Sequence, residues 1–201
     1  MPWQVNQMAK KAKNSGLISA EITAEQLERL ARLIRQAGHA KGLHPVQWEA
    51  LRYLMRANQF SNSPGALAKY MGATKGTVSQ TIQSLVKKGL VVKGARSADS
   101  RSVALQLTEQ GEKLLSDDPL QGVQNAISAL TNKTRKRFSK GVLEVLEAEY
   151  VRQNEPSFGS CKSCRFYRDG GASDSDTCIK FTVDLKSSDL KLICVEHVAA
   201  G

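Results

Sequence analysis

All four cysteines of the chain lie in one polar segment that follows a long stretch with helical patterning. Cys161 and Cys164 form a close pair, and Cys178 and Cys194 stand alone farther along. The span from 157 to 200 has few large apolar residues, too few to bury the surface that an independent fold requires. In a reducing compartment, clustered cysteines are more often metal ligands than disulfides. We therefore predict a metal centre as the core of this segment.

The net charge favours a polyanionic partner. Lys and Arg outnumber Asp and Glu by 29 to 19, which gives a formal charge of +10. DNA, RNA and anionic membrane surfaces all fit this surplus. The N-terminal segment is basic but has no apolar stretch with a small-residue cleavage site, and no run of about eighteen apolar residues occurs anywhere. We expect a cytoplasmic protein that does not enter the membrane.

Apolar residues at spacings of three and four predict a mostly α-helical body. One helix begins near Thr23 and ends at Gly38, and a second follows Pro45, which suits a first helical turn. A short third helix opens at Ser63 and stops at Gly72. The pattern is helix, glycine-containing turn, helix.

A fourth helix and a hairpin complete the predicted DNA-binding lobe. Thr74 is placed to cap this helix, which runs from about Lys75 to Lys88. Two short apolar stretches on either side of a polar loop, residues 93–102, then indicate a two-stranded wing. Helical spacing resumes at Thr108 and continues to about Val151. The predicted fold is thus mostly α with one small β-hairpin.

The fourth helix carries a polar face suited to reading base edges. A helix fits the major groove of B-DNA, where short polar side chains in its N-terminal half meet the bases. The opposite stripe of Val78, Ile82, Leu85 and Val86 would pack on the preceding helix. An ordinary amphipathic surface helix has the same pattern, so the helix alone does not decide. The candidate base-reading residues are Lys75, Thr77, Ser79, Gln80 and Gln83.

The hairpin that follows favours DNA binding. Lys93, Arg96 and Arg101 lie close together beside Asp99. A basic hairpin tip can enter the minor groove or lie along the phosphates. Asp99 could orient Arg101, although an exposed pair of this kind contributes little by itself. The position of the hairpin directly after the helix is the stronger indication of a wing.

The run from Leu43 to Leu115 resembles the MarR family of winged-helix transcription regulators. The resemblance lies in PVQWEALRYL, in LAKYMGATKGTVSQTIQSLVKKGLVVKG and in DSRSVALQLTEQGEKLL. Asp99 and Arg101 fall on the family's acidic and basic wing positions. The helical segments 22–38 and 119–153 extend the similarity.

This resemblance implies a homodimer that binds a palindromic operator in double-stranded DNA. In the family, the N- and C-terminal helices intertwine and place two recognition helices about one turn of DNA apart. Most members repress transcription, and many release DNA when a small ligand, a metal or an oxidant changes that separation. A ligand pocket usually lies between the dimerisation helices and the DNA-binding lobe. Here it would involve His39, His44, Trp48 and Arg52, although His and Trp at such positions also serve as packing residues.

The four cysteines suit either a [4Fe-4S] cluster or a zinc ion. For zinc, Cys194 with His197 would supply the second close ligand pair and leave Cys178 spare. The close pair and two isolated cysteines, with Phe166, Tyr167 and Phe181 nearby, are instead similar to high-potential iron–sulfur proteins and related small cluster-binding modules. Apolar neighbours keep water from the sulfides and tune the potential. We favour the cluster slightly and retain zinc.

These observations predict a DNA-binding regulator, most simply a repressor, whose metal centre senses redox state, oxygen or iron. The alternative is a regulator with a structural zinc site that responds to a small organic ligand. Electron transfer and RNA binding are distant alternatives, and the sequence has no catalytic constellation, so we do not expect an enzyme. The predicted regions are a basic arm (1–21), a helical dimerisation region (22–42 and 109–153), a winged-helix lobe (43–108) and a metal-nucleated cysteine module (157–200).

Overall fold

The computed structural model describes residues 19–96, 99–171 and 175–200, apart from the side chains of residues 95–102. Nearly all of the predicted N-terminal arm lies outside these residues. The chain divides into two compact units, Met1–Pro45 and Val46–Gly201. Among the described helices, none combines the length and the apolar character that a membrane crossing requires.

The first unit contains one helix, α1 (Ala20–Ala37). It begins three residues before the predicted start at Thr23, because the Ser19 hydroxyl accepts a hydrogen bond from the Ile22 amide at 3.5 Å and caps it there. Gly38 ends the helix, as predicted. No residue of α1 is buried, and Leu33 is 52% exposed. The helix therefore presents apolar side chains that this unit does not cover.

The second unit holds a winged-helix lobe, two further helices and the cysteine segment. Its helices are α2 (Pro45–Arg56, whose first residue ends the first unit), α3 (Pro64–Tyr70), α4 (Lys75–Lys87), α5 (Glu109–Leu114), α6 (Gln121–Ser128) and α7 (Asn132–Gln153). Its strands are β1 (Val91–Arg96), β2 (Asp99–Leu107), β3 (Tyr167–Arg168), β4 (Thr177–Cys178) and β5 (Val183–Asp184). Short 3-10 turns lie at Leu115–Asp117, Cys161–Ser163 and Asp189–Lys191. The mostly helical body with one wing-like hairpin is confirmed.

Side-chain caps set the limits of α3 and α4. The Ser63 hydroxyl accepts from the Ala66 amide at 3.2 Å, and the Thr74 hydroxyl accepts from the Thr77 amide at 3.2 Å. Each cap satisfies a backbone donor that the first helical turn leaves open. Between the two helices, Gly72 adopts a left-handed conformation with φ of 56°. The two capping residues and this glycine therefore determine the geometry of the turn that joins α3 to α4.

The core of the lobe lies between α2, α3, α4 and the hairpin. Fully buried side chains come from all four of these parts, namely Trp48, Leu51, Leu67, Leu85, Val91 and Leu105. Gln47 on α2 donates through Nε2 to the Ser84 hydroxyl on α4 at 2.8 Å. Large buried apolar residues stabilise a core by about 1.5–3 kcal/mol each. This packing fixes α4 with its opposite face outward.

The hairpin is joined to the helices at both ends. β1 pairs antiparallel with β2 from Val91–Leu107 to Ala95–Val103, with a bulge between Ala95 and Arg96. The Leu105 amide donates to the Asn62 carbonyl at 2.7 Å, and the Thr108 hydroxyl donates to the Gly89 carbonyl at 2.6 Å. The wing is thereby held against the turn before α3 and the end of α4.

The segment predicted as helical from 119 to 153 is broken into two helices. α6 ends at Ser128, and Thr131 starts α7 by accepting from the Thr134 amide at 3.3 Å. A capping threonine prefers this non-helical position, which explains the break. No residue of α7 is buried, and its exposed large apolar residues are Phe138, Val142, Leu143, Val145, Leu146 and Val151.

The cysteine segment packs against the winged-helix lobe. The Ile193 amide donates to the Arg56 carbonyl at 2.8 Å, and the Asn58 amide donates to the Ile193 carbonyl at 3.1 Å. The Val195 amide donates to the Ser61 hydroxyl at 2.8 Å. Buried apolar residues of the segment add to this packing: Phe158, Leu185, Leu190, Ile193 and Val195. The sequence predicted a metal as the core of the segment, and the structure adds a surface of the lobe on which the segment rests.

Candidate functional site

The outer face of α4 is polar and exposed. Val78, Ile82 and Leu85 are at most 2% exposed and form the predicted inner stripe. Val86, predicted to belong to the same stripe, is instead 38% exposed, because it lies about 80° around the helix from Val78 and so outside the buried stripe. The five predicted base-reading residues are all exposed, namely Lys75, Thr77, Ser79, Gln80 and Gln83.

The wing brings one predicted basic residue to the start of α4. Lys93 is exposed on β1 and lines a shallow cavity together with Lys75 and Ser79. The backbones of Arg96 and Asp99 pair across the hairpin. Their side chains, and that of Arg101, lie outside the described residues. Two lysines and a hydroxyl therefore converge beside the N-terminus of the exposed helix.

The four residues predicted for a ligand pocket fall in both units. In the first unit, the His39 and His44 rings lie edge to face, with centroids 5.6 Å apart. In the second unit, Trp48 is completely buried, and its indole Nε1 has no hydrogen-bond partner among the described atoms. Arg52 Nε donates to Asp118 Oδ2 at 2.7 Å. Trp48 and Arg52 are thus part of the lobe's packing and of an internal ion pair.

The four cysteines line a single cavity. All four are free thiols, with Cys161 and Cys194 buried and Cys164 and Cys178 half-buried. The other lining residues are Asn58, Phe60, Phe166, Tyr167, Lys180, Phe181, Leu185 and Glu196. The structure therefore brings together the cysteines that the sequence singled out and adds two residues of the winged-helix lobe, Asn58 and Phe60.

Each cysteine is positioned by short local structure. The Cys164 amide donates to the Cys161 carbonyl at 2.9 Å, so the close pair shares one 3-10 turn. Cys178 lies on the central strand of a three-stranded sheet, between Tyr167 on β3 and Val183 on β5. The Cys194 amide donates to the Gly159 carbonyl at 3.1 Å, which holds the last cysteine beside the first pair.

The thiols influence one another electrostatically. The pKa of Cys161 is raised to about 11, first by burial and then, in order of importance, by the neighbouring Cys194, Cys178 and Cys164. A group of thiolates confined in this way requires a positive charge to be stable. Lys180 is a cation near the thiols. Its Nζ donates to Glu196 at 2.7 Å, and this bond is the main reason that its pKa is raised. Cys194 and Cys164 raise the pKa of Lys180 more weakly.

Aromatic rings form the wall of the cavity. Phe60 from the lobe stacks on Phe181 from the cysteine segment, with ring centroids 4.1 Å apart and planes within 8°. Lys180 Nζ lies 5.2 Å from the centroid of the Phe166 ring. The Tyr167 hydroxyl donates to Asp176 Oδ1 at 2.9 Å. Such a wall limits the access of water to whatever the four thiols hold.

The alternative ligand His197 is engaged elsewhere. Its Nδ1 lies 2.5 Å from the Ser157 hydroxyl, and its Nε2 lies 3.0 Å from the Ser163 hydroxyl. Both ring nitrogens therefore have hydrogen-bond partners, and a metal at either one would have to displace a serine. Across the described residues, no group of three or more His, Cys, Asp or Glu side chains could hold a metal ion as they stand.

Comparison with known proteins supports the fold of the lobe. Residues 41–102 match the family model described as MarR family. A MarR transcriptional regulator from Methanosarcina mazei Go1 is 24% identical, with a TM-score of 0.52, over 66% of this chain and 98% of that one. The Staphylococcus aureus MepR–DNA complex is 19% identical, with a TM-score of 0.53, over 66% and 99%.

A third solved structure of the same fold contains a small ligand. CouR from Rhodococcus jostii RHA1, bound to p-coumaroyl-CoA, is 16% identical, with a TM-score of 0.50, over 60% of this chain and 88% of that one. No curated protein matches the chain. At these identities the likeness shows a shared fold.

Proposed function

We propose that the chain is a sequence-specific DNA-binding transcriptional regulator of the MarR type. The observation that carries this proposal is the exposed polar face of α4, whose inner stripe is buried and whose N-terminus is capped. A helix held in this way can enter the major groove with its short polar side chains toward the bases. The shared fold with the MepR–DNA complex and the match to the MarR family model support the same reading.

In this proposal, α4 reads bases and the wing binds the backbone. Lys75 and Lys93 would contact phosphates, while Thr77, Gln80 and Gln83 would meet base edges. The net charge of +10 fits such a contact. Two copies related by a two-fold axis would read a palindromic operator, and occupation of a promoter would repress it.

Selection of bound sequences from a random DNA pool tests the DNA-binding proposal. We expect a palindromic motif whose half-site centres are about one helical turn, roughly 34–36 Å, apart. Operator affinity should fall steeply with salt concentration because bound phosphates release counterions. Enrichment of single-stranded RNA over duplex DNA in the same pool would instead support an RNA-binding protein.

We further propose that the four cysteines bind a [4Fe-4S] cluster. The supporting observation is that Cys161, Cys164, Cys178 and Cys194 surround one aromatic-walled cavity, although the described residues contain no group that could hold a single ion. In a cubane each thiolate binds a different iron, so the thiols stand farther apart than around zinc. A bound cluster would supply a one-electron centre that is sensitive to oxygen and to iron supply.

The packing of the cysteine segment supports a sensory role. The residues that hold Ile193 and Val195 lie at the end of α2 and in the turn between α2 and α3, directly before the proposed helix-turn-helix. A structural change in the cysteine cavity would therefore be transmitted to the winged-helix lobe of the same chain. Any effect through α7 would add to this one. A coupling of about 1–3 kcal/mol would change operator affinity by roughly 5- to 150-fold.

Metal analysis of protein purified without oxygen separates the cluster from zinc. About four irons and four sulfides per chain, as one cubane requires, would support the cluster. Cys178→Ser should then lose iron and change operator affinity, whereas Ser187→Ala, an exposed residue of the same segment, should do neither. One zinc and no iron would favour a structural zinc site and a response to a small organic ligand, for which the CouR complex offers a parallel.

A further inference from the structure

One polar side chain at the cysteine cavity has an unused donor. Asn58 is 1% exposed and lines the cavity together with the four cysteines. Its Oδ1 accepts from the Phe60 amide at 3.1 Å and from the Ser61 hydroxyl at 2.8 Å. Its Nδ2 has no hydrogen-bond partner among the described atoms. Buried amides rarely leave their donors unpaired, so this group requires an explanation.

The orientation of the amide is fixed by its other bonds. The Phe60 backbone N–H can only donate, so the atom facing it must be the carbonyl oxygen of Asn58. Exchange of Oδ1 and Nδ2 would place two donors against each other. The NH₂ group is therefore the part of the side chain left to meet the contents of the cavity.

The groups that share the cavity with Asn58 are suitable acceptors. The four thiols become thiolates when they bind metal, and the sulfides of a cluster also accept hydrogen bonds. The remaining lining residues contribute mainly aromatic and aliphatic surface, and Lys180 and Glu196 bind each other. Sulfur is thus the acceptor that the surroundings of Nδ2 offer.

We propose that Asn58 donates a hydrogen bond from Nδ2 to a sulfur of the cluster held by the four cysteines, an inference that rests on the proposed cluster. Asn58 is a positioning residue that belongs to the winged-helix lobe rather than to the cysteine segment. Its side-chain oxygen accepts two hydrogen bonds within the turn from Asn58 to Ser61, and Ser63, two residues after that turn, caps α3. The same amide therefore joins the cluster to the start of the helix-turn-helix.

Hydrogen bonds through Ser61 form a second connection between the cysteine segment and the turn before α3. Ser61 Oγ donates to Asn58 and accepts from the Val195 amide, and Val195 follows Cys194. A cluster that changes charge alters the strength of a hydrogen bond to its sulfur. The side chain of Asn58 would respond, and the turn before α3 would respond with it.

Two variants and one control test the inference. Asn58→Leu removes the amide at similar size, and Asn58→Asp keeps the acceptor for Phe60 and Ser61 but removes the donor. In anaerobic protein with its cluster bound, both should lower the reduction potential, because a donor to sulfur stabilises the more negative, reduced state. Both should also lose the cluster in air about 10-fold faster or more. Ser187→Ala, at an exposed residue of the cysteine segment, should leave the potential unchanged.

The outcomes separate this inference from the proposed function. An unchanged potential and lifetime in Asn58→Asp would overturn the role of Asn58 and leave the cluster standing. Protein with zinc and no iron would overturn the cluster itself. If the variants fail to fold, wild-type protein with ¹⁵N-labelled asparagine side chains decides. We expect the reduced, paramagnetic cluster to show hyperfine coupling to one ¹⁵N nucleus, and absence of that coupling would overturn the inference.

Discussion

The ion pair between Arg52 and Asp118 joins α2 to the turn before α6. Arg52 Nε donates to Asp118 Oδ2 at 2.7 Å, and Asp118 Oδ1 accepts from the Leu120 amide at 2.8 Å. The Asp118 side chain is 9% exposed and that of Arg52 27%. A partly buried carboxylate with two donors depends on both of them, because water cannot readily replace either.

Arg52→Ala should therefore lower the free energy of unfolding. We expect a loss of about 1.5–3 kcal/mol, the range for hydrogen bonds to charged groups. The measurement is the denaturant midpoint by circular dichroism at one protein concentration. Arg152→Ala is the control, because Arg152 binds Glu149 on the exposed surface of α7 and should show no resolvable change. Equal losses in the two variants would contradict the structural role of Arg52.

A close backbone approach occurs at Gly111 in α5. A Cβ at this position would collide with the carbonyl oxygen of Leu90 at the end of the α4–β1 turn. Gly111→Ala should therefore lower the thermal midpoint, with a loss of about 1–3 kcal/mol from overpacking. Gly122→Ala in α6 is the matched substitution, since no atom lies within 4 Å of its Cβ. That variant should be neutral or slightly more stable.

Single residues differ in how well the sequence reveals their role. The four cysteines were identified by their chemistry and spacing, and the structure gathers them in one cavity. Asn58 and Phe60 were missed because they lie in a turn between helices, where no periodicity marks a buried residue. Contact with a segment more than 100 residues away makes them part of the site, and one sequence contains no signal of that contact.

Two helices of the second unit begin with the same capping arrangement. In α4, the Thr74 hydroxyl accepts from the Thr77 amide and lies 3.0 Å from the Thr77 hydroxyl. In α7, Thr131 and Thr134 repeat this geometry at the same hydroxyl separation of 3.0 Å. The two caps should contribute equally to helix stability, but only the first lies beside the proposed base-reading face.

Thr74→Ala should weaken operator binding more than its effect on stability explains. Loss of the cap costs about 1 kcal/mol and frays the turn that holds Lys75 and Thr77. Thr131→Ala should cause a similar loss of stability and leave operator affinity nearly unchanged. Fluorescence anisotropy at matched salt measures the affinity, and equal affinity losses in the two variants would argue against α4 as the recognition helix.

Elements with local signals could be predicted from the sequence. Caps, glycines and apolar spacing placed α2, α3, α4 and the hairpin, because these features act within a few residues. The break between α6 and α7 was missed, since apolar residues continue through it and only Thr131 marks a new start. The three short strands around Cys178 were not foreseen either, because strands of two residues have no alternation to recognise.

Within the second unit, α7 presents large apolar residues that the described residues of that unit do not cover. Phe138, Val142 and Val145 recur at spacings of four and three and are 37%, 41% and 54% exposed. A soluble monomer rarely presents such a stripe, and a second copy of the chain would cover it. This surface supports the homodimer implied by the resemblance to the MarR family.

Val145→Asp should therefore weaken dimerisation. We expect light scattering to give about twice the chain mass of 21.9 kDa for the wild type and a mass close to a single chain for the variant. A buried charge without a partner opposes association. Glu144→Gln, on the neighbouring exposed position, should keep the dimer. A wild-type protein that is monomeric at micromolar concentration would contradict this assembly.

The bond between Val195 and Ser61 connects residues that are 134 positions apart. Contacts of such long separation form late, because a large loop must close before they contribute, and N-terminal parts of a chain fold first during synthesis. We expect the winged-helix lobe to be complete before the cysteine segment finds its place. Newly made protein would then pass through a stage in which the lobe is folded and the four thiols are still reactive. The closing of this loop would then set the time available for delivery of the proposed metal centre.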